Sequence, residues 1–208
     1  NFISPILDFL SNIGVNFFGE DPLSAGFGLF NAGGIIFMIF GIGLSKRLAD
    51  KFGKRDVFNL FLFISTLFIL SFYFFSPESV TLMFTAQIFH GFFYGITIPI
   101  LWAMIADVAD YSEWKNNRRA TAIIFSAMMV GLKGGLTIGG SIVTWVLGVY
   151  GYITKEAGGL SSELITQPDS AVYGTKLLVS IYPAIPFLIG CILLLFYEIN
   201  KKMEVIIE

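Results

Sequence analysis

Between Arg55-Asp56 and Ser76-Pro77-Glu78-Ser79 the chain reads Val57-Phe58-Asn59-Leu60-Phe61-Leu62-Phe63-Ile64-Ser65-Thr66-Leu67-Phe68-Ile69-Leu70-Ser71-Phe72-Tyr73-Phe74-Phe75. No charge interrupts it, and about 20 mostly apolar residues are what a helix needs to cross the hydrocarbon core of a bilayer. The strict alternation of a membrane barrel strand is absent, so the run reads as a spanning helix. Working outward with the same ruler gives six candidate spans, at about 1–18, 23–45, 57–76, 81–106, 120–150 and 174–197. Between them lie Glu20-Asp21-Pro22, the segment Lys46 to Asp56, the Ser76 turn, the segment Asp107 to Arg119 and the Gly/Ser-rich stretch Tyr152 to Tyr173. The expected fold is therefore all-α: a polytopic membrane helical bundle.

Composition agrees. Of 208 residues 55% are hydrophobic and only 13% charged, where a soluble domain carries about 25% charged residues. This excludes a soluble enzyme domain, a nucleic-acid binder and a disordered tail. A net charge of −2 offers no basic field to a phosphate backbone. One Cys and one His make neither a disulfide framework nor a zinc site, so no metal centre is expected. The apolar stretch starts at Asn1 with no charged leader and no small-residue cleavage site after it. That is not a signal peptide, and the chain reads as one half of something longer.

Positive charge sets the expected topology. Ten of the 13 cations fall in alternate connections: Lys46, Arg47, Lys51, Lys54, Arg55, Lys115, Arg118, Arg119, Lys201 and Lys202. The opposite connections hold Lys155 and Lys176, and Lys133 lies within a span. Loops 46–56 and 107–119 and the C-terminus are therefore expected in the cytoplasm, with the protein in the cell membrane.

Polar side chains are costly in hydrocarbon, so their spacing is informative. Asp8 and Asn12, with Ser4 and Asn16, recur every four residues on the first span. Gln87, His90, Tyr94 and Thr97 share a face of the fourth, and Lys133, Thr137, Ser141 and Thr144 a face of the fifth. Three stripes suggest a water-accessible cavity; the alternative is interhelical hydrogen bonding that glues the bundle. Lys133 is too deep to snorkel comfortably and needs an anion, a watered pocket or a neutral amine; Asp8 is one possible partner. His90 has either a proton or substrate role or a hydrogen bond to a neighbouring helix. Gly131, Gly135 and Gly139 form a small-residue ladder for close helix approach, with Gly33 and Gly34 as one docking surface. Cys191 reads as an inert lipid-facing thiol. Pro183 and Pro186 should bend the last span.

Two connections carry a family resemblance. Leu48-Ala49-Asp50-Lys51-Phe52-Gly53-Lys54-Arg55 resembles the short loop motif of the major facilitator superfamily, with Lys46 where that motif often has Gly. Ala106-Asp107-Val108-Ala109-Asp110-Tyr111-Ser112-Glu113, followed by Arg118-Arg119 and Lys133-Gly134-Gly135, is similar to the glycoside–pentoside–hexuronide:cation symporters, the melibiose-carrier-like family. The chain departs from that pattern at Thr121, often acidic in relatives, and at Ser126-Ala127-Met128, often Ser-x-Gln.

The resemblance implies the C-terminal six-helix half of a twelve-helix transporter, its N-terminal half absent here. It implies sugar:cation symport by alternating access, with no bound cofactor and with Na⁺ or H⁺ as coupling ion, held mainly by the other half. Sugar would meet Gln87, Tyr94, Thr97 and Trp102, and Lys133 would sense the ion site. Asp50, Arg55, Asp107, Asp110, Tyr111, Glu113, Arg118 and Arg119 would form the cytoplasmic gate. The alternatives are a lipid or lysolipid transporter of related fold and a non-transporting sensor or scaffold. An enzyme is not expected, since no nucleophile–base pair is visible.

Overall fold

The computed structural model describes residues 22–76, 78–154 and 166–207. The expected first span, with Asp8 and Asn12, and the loop around Lys155 lie outside the described residues. Seven helices occur among them: α1 (Pro22–Phe52), α2 (Lys54–Ser71), α3 (Val80–Asn116), α4 (Thr121–Val149), α5 (Asp169–Val179), α6 (Ile181–Leu194) and α7 (Lys201–Ile207), with no strand. Gly26–Phe52, α3, α4 and the consecutive pair α5–α6 are each long and apolar enough to cross a membrane. Helix α2 has 18 residues, about 27 Å at about 1.5 Å per residue, with its charges confined to the first turn. The chain is a helical membrane bundle.

Three boundaries differ from the sequence expectation, each for a physical reason. The segment 46–56 is not a loop: α1 continues to Phe52, α2 starts at Lys54, and the whole connection is Gly53 at φ +91°. That is a backbone conformation glycine adopts without steric cost. Likewise α3 runs through Asp107, Asp110 and Glu113 to Asn116 and stops at Asn117 in the left-handed region, φ 50°. A helix that leaves the bilayer need not end there, because Lys, Arg, Glu and Ala all favour helix in water. The last span begins earlier, at Asp169, and breaks at Ser180. Pro183 has no N–H to offer the Val179 carbonyl, so the chain restarts with this proline in the first turn of α6, where the missing donor costs nothing.

Helix α1 packs along α3, and α2 packs on α3 and α6. The α1–α3 contact is backbone against backbone. A Cβ on Gly41 would run into the carbonyl oxygen of Phe92, one on Gly91 into that of Gly34, and one on Gly95 into that of Met38. Among the described residues the close glycine seam therefore lies on α1 and α3, not on α4, where a methyl added at Gly131, Gly135 or Gly139 would meet none of their atoms within 4 Å. Beside the seam, Ala49, Val57, Phe58, Leu62, Ile96, Ile100, Met104 and Cys191 form one buried cluster toward the cation-rich end. Cys191 is thus buried, not lipid-facing. Helix α4 stands apart: Val146 is its one buried residue among those described.

Candidate functional site

Mid-bundle, the stripe on α3 divides. The His90 Nδ1 lies 2.8 Å from the Ser65 hydroxyl oxygen and 3.2 Å from the Ser65 carbonyl oxygen, tying α3 to α2. Its ring stacks on Tyr94, centroids 5.7 Å apart, and Tyr94 stacks on Phe187 of α6 at 5.9 Å. Thr97 is 2% exposed and donates to the carbonyl of Tyr94 in its own helix. Gln87 lies over Gly34 and lines an outer pocket of about 390 Å³ with Phe30, Phe72, Phe75 and Lys176. Among the described residues these four are not brought into one cavity. His90 and Tyr94 face the α2–α6 packing, so for His90 the hydrogen-bonding alternative is the one observed. Trp102 is exposed on α3.

The stripe on α4 stays together and open. Thr137 donates to the carbonyl of Lys133, Ser141 to that of Thr137 and Thr144 to that of Gly140, each hydroxyl bonding one turn back. The hydroxyls are therefore satisfied within the helix while remaining accessible oxygens. Together with Leu136, Gly140 and Trp145 they line a shallow groove. Lys133 sits one turn before it, exposed, and no carboxylate among the described residues lies within salt-bridge distance of it.

At the cation-rich end the charged residues converge. Lys54 Nζ donates to both carboxylate oxygens of Asp107, at 2.7 and 2.8 Å. Arg119 bridges Asp110 at 2.8 Å and Glu113 at 3.4 Å, closing the turn after α3. Tyr111 donates to Glu198, and Ser112 to the carbonyl of Arg118. Of the residues selected from sequence, Asp107, Asp110, Tyr111, Glu113 and Arg119 are paired through their side chains. Arg55 reaches Asp56 and the Tyr197 carbonyl. Asp50 and Arg118 take part through their backbone carbonyls.

The C-terminal segment straps this end. Lys201 Nζ donates to the carbonyls of Asp50 and Lys51 at the C-terminus of α1, while Glu204 accepts the Lys54 N–H at the N-terminus of α2. Tyr197 donates to the Met104 carbonyl at 3.1 Å. Burial, with Asp107 and Glu204 nearby, pushes its hydroxyl far above the ordinary tyrosine range, so it stays a donor. Sequence reasoning missed Lys54, Tyr197, Glu198, Lys201 and Glu204 as partners. The cations among them were already explained by topology, which asks for no specific contact.

The family model for MFS/sugar transport proteins matches residues 8–201. An uncharacterised 29.9 kDa protein from the crtE 3′ region of Pseudescherichia vulneris is 36% identical over 112 residues, 54% of this chain and 41% of that one. The putative glycoside/cation symporter YagG of Escherichia coli K12 is 29% identical over 174 residues, 83% of this chain and 36% of its own length. The inner membrane symporter YicJ of the same organism is 29% identical over 155 residues, 74% of this chain and 32% of that one. The matches thus span well under half the length of these curated relatives.

Proposed function

Because the chain belongs to the MFS/sugar transport family, we propose that it forms one half of a secondary transporter that moves a sugar or glycoside together with Na⁺ or H⁺. The observation that carries this reading is the open stripe Lys133, Thr137, Ser141 and Thr144 on α4. It is a row of polar groups at membrane depth on a helix of which, among the described residues, only Val146 is buried. Intramembrane cations are costly and belong on a water-filled path or beside an anion. A second six-helix half laid against α4 would enclose the stripe, with the sugar hydroxyls on its oxygens. In this reading Lys133 reports whether the ion site across the cavity is filled.

The pairs Lys54–Asp107 and Arg119–Asp110/Glu113 then serve as the cytoplasmic gate, breaking as the halves rock about the midplane. The exposed Arg119 pairs contribute only about 0–1 kcal/mol each and break at little cost, while the more enclosed Lys54–Asp107 pair is the firmer part of the gate. The test is uptake by the full-length protein in proteoliposomes under an imposed Na⁺ or H⁺ gradient. Lys133→Cys should abolish gradient-driven accumulation while insertion and yield are kept. Unaltered accumulation by that variant would overturn the assignment.

A further inference from the structure

At the end of the bundle opposite the cation-rich gate, α1, α2, α3 and α5 surround a pocket of about 390 Å³, lined by Phe30, Phe72, Phe75, Met83, Gln87 and Lys176 among others. That volume is within the range of about 300–1,000 Å³ usual for small-molecule sites. The pocket shares no lining residue with the groove on α4. Its body is apolar and aromatic: Phe30 and Phe72 meet edge to face at 6.1 Å, and Phe72 and Phe75 at 5.8 Å. Two polar groups interrupt the wall. The Gln87 amide lies over Gly34, where a Cβ would come within 2.8 Å of its Nε2. It makes no hydrogen bond among the described residues, yet neither of its polar atoms is shut off from solvent. Lys176 is half-buried, its Nζ 5.3 Å from the Tyr73 ring centroid. No carboxylate among the described residues lies within salt-bridge distance of it.

We propose that this pocket binds a small aromatic monocarboxylate as an effector, apart from the transported solute. The ring packs against Phe30 and Phe72 and continues their alternation of edges and faces. The carboxylate meets the Lys176 ammonium, and the Gln87 amide, with one acceptor and two N–H donors, serves a ring N–H or hydroxyl. Other classes fit less well. A cation sets its charge against Lys176. A sugar brings more hydroxyls than the lining can satisfy, since Thr175 already donates to the Ala171 carbonyl, and buried hydroxyls without partners are costly. An aliphatic acid matches the charge but not the edge-to-face packing. An occupant bridges α5 to α1 and α3. Tyr150, at the end of α4, lies on Gly174 of α5, where a Cβ would come within 2.6 Å of its ring. Occupancy therefore fixes the helix on which the end of α4 rests.

The experiment is saturation-transfer NMR on the full-length protein in phosphatidylcholine nanodiscs, with indole-3-propionate, its primary amide and octanoate, each read against empty nanodiscs. Indole-3-propionate should bind saturably below about 1 mM, and about tenfold more tightly than the amide, the ratio expected for one charge-assisted hydrogen bond. It should also bind about fivefold more tightly than octanoate, as expected for one aromatic pair. Lys176→Gln should bring acid and amide level. Val172→Trp, which fills the pocket, should remove saturable binding. In the unaltered protein, no saturable binding, or affinity for the amide or octanoate equal to that for indole-3-propionate, overturns the proposal. So does a preference for the acid that survives Lys176→Gln, or saturable binding that survives Val172→Trp. The comparison of three ligands in the unaltered protein decides independently of any folding defect. Because the readout is binding, its outcome is separate from whether the protein transports sugar.

Discussion

Lys54 and Asp107 meet in a two-oxygen contact, at 2.7 and 2.8 Å, that joins the start of α2 to the part of α3 projecting beyond the apolar core. Both side chains are largely enclosed, at 21% and 13% exposure. The two partners are not equivalent. Lys54 has a long flexible stem and retains access to water when its partner is removed, whereas Asp107 has neither. Lys54→Ala should therefore cost about 1–3 kcal/mol of stability, as expected for a carboxylate left under-satisfied, and Asp107→Asn less. Thermal unfolding of the two single variants and the double variant gives the ranking. A double variant no worse than Lys54→Ala would confirm that the pair acts as a unit.

Arg119 behaves differently because its contacts are exposed: Arg119 is 59% accessible, Asp110 38% and Glu113 53%. Arg119→Ala should change stability by no more than about 1 kcal/mol. The difference from the unaltered protein should vanish near 1 M salt, where charges are screened beyond about 3 Å. Thermal midpoints at low and high salt test this. A defect that persists at high salt would mean Arg119 acts through packing.

The glycine seam gives a sharper contrast. Gly41→Ala pushes a methyl group into the backbone of α3, which cannot swing aside as a side chain can, whereas a methyl at Gly43 has nothing within 4 Å among the described residues. Gly41→Ala, Gly91→Ala and Gly95→Ala should each abolish or strongly reduce monodisperse protein, and Gly43→Ala should leave the yield unchanged. Size-exclusion profiles of the four variants decide it.

These cases show where sequence was sufficient. The long run from Val57 to Phe75, the charge asymmetry and the segment Ala106 to Glu113 pointed to membrane class, helical fold and family, because each is a local or additive property. The stripes were legible only as spacing. Periodicity put His90 and Tyr94 on one face, but which neighbour that face meets depends on how α2 and α6 pack, and Ser65 and Phe187 are remote in sequence. The glycine ladder on α4 and the seam on α1 and α3 have similar spacing; only the crossing of helices tells them apart. Helix ends were displaced for a related reason. Charge marks where the chain leaves the bilayer, and α1 and α3 both continue beyond that point.

His90 offers a test that separates its two sequence readings. With Nδ1 engaged by Ser65 and its ring between α2 and Tyr94, the side chain works as a tie between helices. Ser65→Ala should lower stability by about 0.5–1.5 kcal/mol, the net contribution of one hydrogen bond. His90→Gln, which keeps a donor and an acceptor, should leave the pH dependence of uptake unchanged. A shifted pH profile in that variant would assign the imidazole to proton transfer instead.

The strap makes the most discriminating prediction, because its charges sit at opposite helix ends across a single residue. Lys201 lies at the C-terminus of α1, where carbonyls are unpaired and the helix dipole is negative. Glu204 lies at the N-terminus of α2, where N–H groups are unpaired and the dipole is positive. Gly53 between them leaves little room, since a Cβ there would come within 3.0 Å of the Lys201 Cβ. Removing both charges, as Lys201→Ala with Glu204→Ala, should cost about 0.3–1 kcal/mol per site. Exchanging them, as Lys201→Glu with Glu204→Lys, keeps composition and net charge but sets each charge against its dipole. If the dipoles matter, the exchange must be worse than the removal; if Lys201 and Glu204 merely attract each other, the exchange should be neutral. Hydrogen exchange at the amides of residues 54–57 reads this locally, with protection ordered unaltered protein, then double alanine, then exchange. An exchange variant as protected as the unaltered protein would reduce the strap to a contact between two side chains.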